Sequence, residues 1–324
     1  MSTTQITFRD LIAANKRNSI WLVAIFVLFT VAVAVLLSLA IVAVVDPTRL
    51  ETANWSEAVL IGGIAAVLSL LFSIVGFYAG DSLVLGVSHA QAIGHDDDPV
   101  LFNVVEEMAI AAGVPVPRIY VIDDSAPNAF ATGRDPEHAS LAVTRGLRAK
   151  LERDELQGVI AHEMSHVRNY DIRLMLLMSV LVGTIAMLSD LALQAVRFAP
   201  MGRRNRDRGQ GSDSNVIALV LIVVGLLLAI VAPVLAQIIQ LAVSREREYL
   251  ADASAVELTR HPQGLAGALR KIDEDTEVLE AANRGTAHLY IANPIKKFEE
   301  RSGSVFASHP PIKERIRRIE ELLA

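Results

Sequence analysis

Two long segments without a charged residue, 20–45 and 58–80, constrain this chain more than any other feature. A helix needs about 20 mostly apolar residues to cross the hydrocarbon core of a bilayer, and both segments are long enough. The polar stretch between them is short, so the pair predicts a transmembrane hairpin. Apolar residues make up 52% of the whole chain, which excludes an ordinary soluble globule.

Basic residues around the first segment predict its orientation. Lys16 and Arg17 stand just before it, whereas the turn that follows holds only Arg49. Cytoplasmic ends of membrane helices carry an excess of Lys and Arg. We therefore expect the N-terminus in the cytoplasm, and two crossings return the chain to that side.

A second hydrophobic hairpin is predicted over residues 174–243, with apolar stretches at about 174–196 and 216–243. Its connection is rich in arginine between positions 197 and 208. If both stretches cross the membrane, these arginines lie outside, against the positive-inside tendency. We favour four membrane spans, and the alternative is a hairpin that is partly embedded or stands above the membrane.

The remaining sequence is polar and belongs to a domain in two parts. Residues 1–80 hold the N-terminal tail and first hairpin, 81–173 the first part of the domain, 174–243 the second hairpin and 244–324 the second part. The expected fold class is a mostly α multi-pass membrane protein whose polar domain is α+β, with helices and a small β-sheet.

Helix and strand signals in the polar domain are local and clear. Asp98 followed by Pro99 is typical of a helix start and predicts a helix to about Ala112. Another helix is predicted from Leu151 towards Asp171. β-Branched and aromatic residues predict three short strands between these helices, at 118–122, 128–132 and 140–144.

The segment 162–166, His-Glu-Met-Ser-His, is the strongest candidate for a chemical site. Residues four apart lie on the same face of a helix, so the imidazoles of His162 and His166 point to one place. Neutral imidazoles bind Zn²⁺, and Glu163 can accept a proton from a water that the metal activates. This is the HExxH pattern of zinc metalloproteases.

The alternative for this segment is a surface helix with two ordinary histidines. Val159, Ile160 and Ala161 lead into the motif and indicate a buried helix, where uncompensated imidazoles and a carboxylate would be costly. A metal is therefore favoured. Because the chain contains no cysteine, the ligands must be His, Asp, Glu or backbone groups.

A catalytic zinc needs a third protein ligand, and the candidate lies after the second hairpin. Glu248 and Asp252 are four apart and share a helix face, whereas Glu246 points nearly opposite. Glu248 as ligand and Asp252 as acceptor from a ligating imidazole make physical sense together. An amphipathic helix with solvated charges is the alternative.

These motifs together resemble the HtpX heat-shock membrane proteases, which are relatives of the CAAX prenyl endoproteases and other gluzincins. His-Glu-Met-Ser-His is followed by Asn169 and Asp171, and later by Ser-Arg-Glu-Arg-Glu-Tyr-Leu-Ala-Asp at 244–252. Further matches are Pro-Asn-Ala-Phe-Ala-Thr-Gly at 127–133 and Ala-Ser-His-Pro-Pro-Ile at 307–312. The likeness covers nearly the whole chain.

The resemblance implies a gluzincin-like zinc protease domain and a membrane zinc endopeptidase with one Zn²⁺ per subunit. It implies that His162, His166 and Glu248 bind the metal and that Glu163 is the general base. Asp252 would support a histidine ligand.

The resemblance also implies how substrates bind and what they are. Residues Asn128, Ala129, Phe130 and Ala131 would align an extended substrate through main-chain bonds. His309 would stabilise the developing oxyanion. The implied substrates are misfolded membrane proteins, and the implied place is the inner membrane, in a stress-response role. The charge pattern around the first segment predicts that the site faces the cytoplasm. A net charge of −6 gives no basic field for nucleic acid.

Two other functions remain open at this point. A CAAX-type protease would process a prenylated substrate, but two N-terminal spans in place of a larger helical chamber argue against it. A membrane scaffold or chaperone with a structural zinc is the alternative outside catalysis. Such a site needs no base beside its first ligand, so Glu163 separates the two functions.

Overall fold

The computed structural model describes residues 8–45, 55–181, 245–280, 286–292 and 310–322. Most of the second hydrophobic hairpin lies outside these residues, as do its arginine-rich loop and His309. The chain divides into two compact units: one comprises Met1–Ile20, Val75–Val180 and Ile238–Ala324, and the other comprises Trp21–Ile74 and Leu181–Gln237.

Two long helices contain the apolar N-terminal segments. Helix α1 is Phe8–Val45 and α2 is Trp55–Val87, so both extend beyond the predicted spans 20–45 and 58–80. Within the described residues, Ala66–Val87 is long and apolar enough to cross a bilayer, judged by length and composition. Large apolar side chains are exposed along both helices: Ile20, Trp21, Leu28, Leu60, Leu68 and Leu71.

A four-stranded mixed sheet lies in the first unit, in the order β1-β2-β4-β3. The central strands β2 and β4 are parallel, and each outer strand pairs antiparallel with its neighbour. This order leaves β3 at the edge of the sheet. The three predicted strands are all present: one has the predicted limits, one is shifted by one residue at both ends, and one begins one residue earlier. The strands are β1 Gln91–Ala92, β2 Arg118–Ile122, β3 Ala129–Gly133 and β4 Ala139–Thr144.

The helices of the polar domain pack around one central helix, α5, Arg153–Arg168. It begins with a capping box, in which Glu152 and Glu155 satisfy each other's backbone N–H groups. Because α5 contacts helices on several sides and β3 as well, four polar residues of its second half are buried: His162, Glu163, Ser165 and His166. The other helices are α3 Pro99–Ala112, α4 Arg145–Lys150, α6 Arg245–Thr259, α7 Pro262–Glu274 and α8 Ile312–Glu321.

Helices α5 and α7 approach each other closely at Gly158. A Cβ atom at this position would lie 2.6 Å from the backbone nitrogen of Leu265 and 2.8 Å from its Cα. Rotation of a side chain cannot relieve a contact with backbone atoms. Glycine at this position therefore sets the distance between the two helices.

We expect Gly158→Ala to lower the free energy of unfolding by about 1–3 kcal/mol, the usual cost of overpacking a core. Gly86→Ala in α2 is the matched control, because a Cβ there meets no atom within 4 Å. Alanine's higher helix propensity should leave that variant as stable as the wild type or more so. Thermal unfolding in detergent measures both, and an unchanged melting temperature for Gly158→Ala would contradict the close crossing.

Candidate metal centre

Two imidazoles and one carboxylate meet where α5 contacts α6. His162 and His166 project from α5, and their Nε2 atoms are 3.2 Å apart. Glu248 projects from α6, with its carboxylate oxygens 3.8 Å from Nε2 of His162 and 3.6 Å from Nε2 of His166. All three side chains are buried. The structure thus brings together the three residues that the sequence predicts as ligands.

This set of donors fits a zinc ion. With metal–ligand bonds of about 2.0–2.1 Å, the donor atoms of a tetrahedral zinc site lie about 3.3 Å from one another. The ligand atoms of His162, His166 and Glu248 all lie within 4.8 Å of one another. Small side-chain adjustments would bring them to that spacing. Two histidines and one glutamate are also a known ligand set of catalytic zinc.

Each imidazole contacts a buried carboxylate through its Nδ1 atom. Nδ1 of His162 lies 3.0 Å from Asp252, and Nδ1 of His166 lies 3.1 Å from Asp171. These contacts favour the tautomer that carries its proton on Nδ1, which leaves Nε2 free to bind a metal. Asp252 lies where the sequence analysis expects an orienting carboxylate.

Asp171 contacts the centre because the chain breaks after α5. The sequence predicts one helix as far as Asp171, but α5 ends at Arg168 and Tyr170 has a left-handed φ of 61°. This turn lets Asp171 lie beside His166. Asn15 of α1 then donates to Asp171 at 2.7 Å and to the Asn169 carbonyl at 2.8 Å.

Sequence reasoning missed Asn15 and the contact of Asp171 with His166. Asn15 stands directly before Lys16 and Arg17 in a polar stretch, so nothing in the pattern separates it from solvated neighbours. In the structure, however, Asn15 is buried. A helix from the start of the chain therefore supports the orientation of His166.

Arg315 of α8 is fully buried and joins the two carboxylates of α6. Its guanidinium donates to both oxygens of Asp252, at 2.9 and 2.7 Å, and lies 3.7 Å from Glu248. This bidentate pair compensates the cost of burying the positive charge of Arg315 and the negative charge of Asp252. The sequence shows α8 as a helix rich in charge, and its signal for Arg315 is that this residue shares a helix face with the apolar Ile319.

Glu163 lies beside the ligands, and its carboxylate reaches the sheet. One of its oxygens accepts a hydrogen bond from the backbone N–H of Ala131 in β3 at 2.8 Å. Burial, and to a smaller extent the negative charge of Glu248, raise the pKa of Glu163 to about 8, although the charge of His166 opposes the shift. A bound cation would oppose this shift.

The pKa values of the two imidazoles move in opposite directions. Burial lowers the pKa of His162, although the hydrogen bond with Asp252 opposes this. Burial also lowers the pKa of His166, but the hydrogen bond with Asp171 and the charge of Glu248 outweigh it and raise the pKa to about 9. A metal binds the neutral imidazole, so binding displaces the proton of His166.

The predicted substrate strand lies beside the centre. Ala129, Phe130 and Ala131 belong to the edge strand β3, and Asn128 directly precedes it. The N–H of Ala131 and the C=O of Ala129 both face away from β4, because they bond to Glu163 and to Ile291. His309 lies outside the described residues, so its role stays a prediction.

The sequence also matches a known family over most of its length. The sequence model of peptidase family M48 matches residues 96–323. The chain belongs to peptidase family M48. It is therefore a metalloprotease, which confirms the predicted enzyme class.

Curated M48 relatives that are named Protease HtpX homolog match nearly the whole chain. The protein from Listeria monocytogenes serotype 4b (strain CLIP80459) is 42% identical over 313 residues, which are 96% of this chain and 98% of the relative. The protein from Dictyoglomus thermophilum is 42% identical over 316 residues, covering 97% and 94%. These matches confirm the resemblance inferred from the motifs.

Solved structures also match this chain. The crystal structure of S. mikatae Ste24p matches with a TM-score of 0.47 and 20% sequence identity. The match covers 88% of this chain but 65%, less than two thirds, of Ste24p.

We expect Asp252→Asn to weaken zinc binding by about 10–100-fold, the usual effect of losing a group that orients a ligand. Asparagine keeps the size of the side chain but removes the charge that holds both His162 and Arg315. Glu246→Gln is the matched control, because Glu246 lies on the same helix but is exposed. Competition with a chromophoric chelator measures both affinities, and wild-type affinity in Asp252→Asn would contradict the orienting role.

Proposed function

We propose that this M48 peptidase is a membrane-bound zinc endopeptidase that cleaves misfolded membrane proteins on the cytoplasmic side. The observation that carries the proposal is the buried group of His162, His166 and Glu248, with Glu163 next to the first ligand. Three protein ligands leave one position of a four-coordinate zinc site for chemistry. One zinc ion per subunit suffices for this set.

The residues of the chain divide the catalytic work among them. When bound, zinc would polarise the peptide carbonyl and make water more acidic. Glu163 accepts a proton from the attacking water at a carboxylate oxygen and later donates it to the leaving nitrogen. Asp252 and Asp171 hold the two imidazoles with Nε2 towards Glu248.

The substrate would bind as an extended strand along β3. On the side of β3 away from β4, Ala129 has a carbonyl acceptor and Ala131 an N–H donor, and a substrate would replace their present bonds to Ile291 and Glu163. Because strand addition uses main-chain groups, it tolerates many substrate sequences. His309 would stabilise the oxyanion, as the family resemblance implies.

The placement in the membrane rests on α1 and α2. Both helices expose large apolar side chains, which an apolar environment would cover. Lys16 and Arg17 favour a cytoplasmic N-terminus. The resemblance to HtpX proteases supports the inner membrane and a role in the quality control of misfolded membrane proteins.

A membrane scaffold or chaperone with a structural zinc is the second candidate. The burial of the three ligands favours it, because a catalytic zinc must keep a position open to water and substrate. Glu163 argues against it. A structural site has no use for a buried carboxylate next to its first ligand.

Casein cleavage by the detergent-purified, zinc-loaded protein tests the proposed chemistry. We expect Glu163→Gln to keep its zinc but to lower kcat by roughly 10²–10⁴-fold, because glutamine cannot accept the proton. Cleavage by Glu163→Gln at the wild-type rate would refute the proposed protease function, in which Glu163 is the base.

Zinc content tests the third ligand separately. We expect Glu248→Ala to lose both zinc and activity, because two imidazoles alone do not hold a catalytic zinc. Glu246→Ala, at an exposed position of the same helix, should keep both. Full zinc content in Glu248→Ala would show that another group is the third ligand.

Cysteine labelling tests the four-span topology. The chain has no native cysteine, so Gly211→Cys places a single thiol in the loop of the second hydrophobic hairpin. If 174–196 and 216–243 both cross, an impermeant maleimide should label intact cells. Asp96→Cys, at an exposed position of the polar domain, should react only after the cells are permeabilised. The same behaviour at position 211 would show that the hairpin does not cross.

A further inference from the structure

The edge strand β3 already has a partner in the chain. The N–H of Ile291 donates to the C=O of Ala129 at 3.0 Å. This carbonyl faces away from β4, so the bond lies on the side of β3 that strand addition would use. We call residues 286–292 the strap.

The side-chain amide of Asn128 binds both main-chain polar groups of Ala292, the next residue of the strap. Its Nδ2 donates to the C=O of Ala292 at 3.1 Å, and its Oδ1 accepts from the N–H of Ala292 at 3.4 Å. One side-chain amide thus satisfies both main-chain groups of a single residue. Such pairing recognises a backbone and not a side chain.

Arg315 binds the remaining main-chain group of Ile291, its carbonyl. Its Nη1 donates to the C=O of Ile291 at 2.7 Å, while its other nitrogens hold Asp252. All four main-chain polar groups of Ile291 and Ala292 are therefore bonded to Ala129, Asn128 and Arg315. A peptide that adds to a sheet edge is held by bonds of this kind.

We propose that the strap is an intramolecular pseudosubstrate, which occupies the edge of β3 and must leave before a polypeptide substrate can bind. This inference rests on the proposed function, since it assumes that substrates add to β3. The centre is also closed in this conformation, since His162, Glu163 and Glu248 are at most 2% exposed.

The strap is anchored by contacts that lie outside the metal centre. The ring of Tyr290 packs edge-on against Phe130 with centroids 4.9 Å apart, and its hydroxyl donates to Ser88 at 3.3 Å. His288 lies 3.2 Å from the hydroxyl of Ser179 and from the carbonyl of Met175. These anchors allow the strap to be loosened without a change in the ligands or in Glu163.

A single thiol in the strap reports whether substrate displaces it. Ala292 is buried, so we expect Ala292→Cys to react slowly with maleimide in the cysteine-free, zinc-loaded protein. In a Glu163→Gln background, unfolded casein binds without cleavage and should accelerate the labelling at position 292. Ala268→Cys, buried in α7, is the matched control and should stay unreactive. Unchanged labelling at position 292 with saturating casein would overturn the proposal.

Loosening the strap should also activate the protease. We expect Tyr290→Ala to lower KM for casein by about tenfold or more, because apparent affinity scales with the fraction of molecules whose site is open. Leu101→Ala makes a comparable cavity in the core of α3 and should not lower KM. If the zinc-loaded wild type and Tyr290→Ala cleave equally, or if Tyr290→Ala loses activity while keeping its zinc, the strap is a structural strand. If neither cleaves casein, the proposed protease function fails.

Discussion

Charge compensation inside the contact between α5 and α6 is the constraint on which the rest of the structure depends. Several ionisable side chains lie there almost without solvent, and an uncompensated charge in such a place costs several kcal/mol. Each is compensated by a different part of the chain: Arg315 of α8 binds Asp252, the Ala131 amide of β3 binds Glu163, and Asp171 binds His166. The centre can therefore form only when the helices and the sheet edge have assembled around it.

This dependence links metal binding to folding. The candidate ligands come from two helices that the predicted second hairpin separates in sequence, so the unfolded chain offers no preformed site. A metal that binds the folded state alone stabilises it by mass action. The close packing at Gly158 also helps to form the centre, because it fixes the position of α5 against α7.

The edge of β3 must satisfy two opposing requirements. A protease that reads main-chain groups needs an open strand edge, but an open edge also pairs with other chains and promotes aggregation. In this structure Glu163 accepts from the outward N–H of Ala131, and the strap donates to the outward C=O of Ala129. A displaceable strap resolves the conflict, since it covers the edge until a polypeptide competes for it.

The sequence by itself determined the features that depend on neighbours along the chain. The spacing of His162 and His166 fixes a shared helix face, and three of the four strands end within one residue of their predicted limits, whereas the two-residue β1 was not predicted. Glu248 was also predictable, because its partner Asp252 lies one turn away. The roles of Arg315, Asp171 and the strap were decided by the tertiary structure. A buried arginine in a charged helix has the same local pattern as its solvated neighbours, and what distinguishes it is which distant elements pack around it.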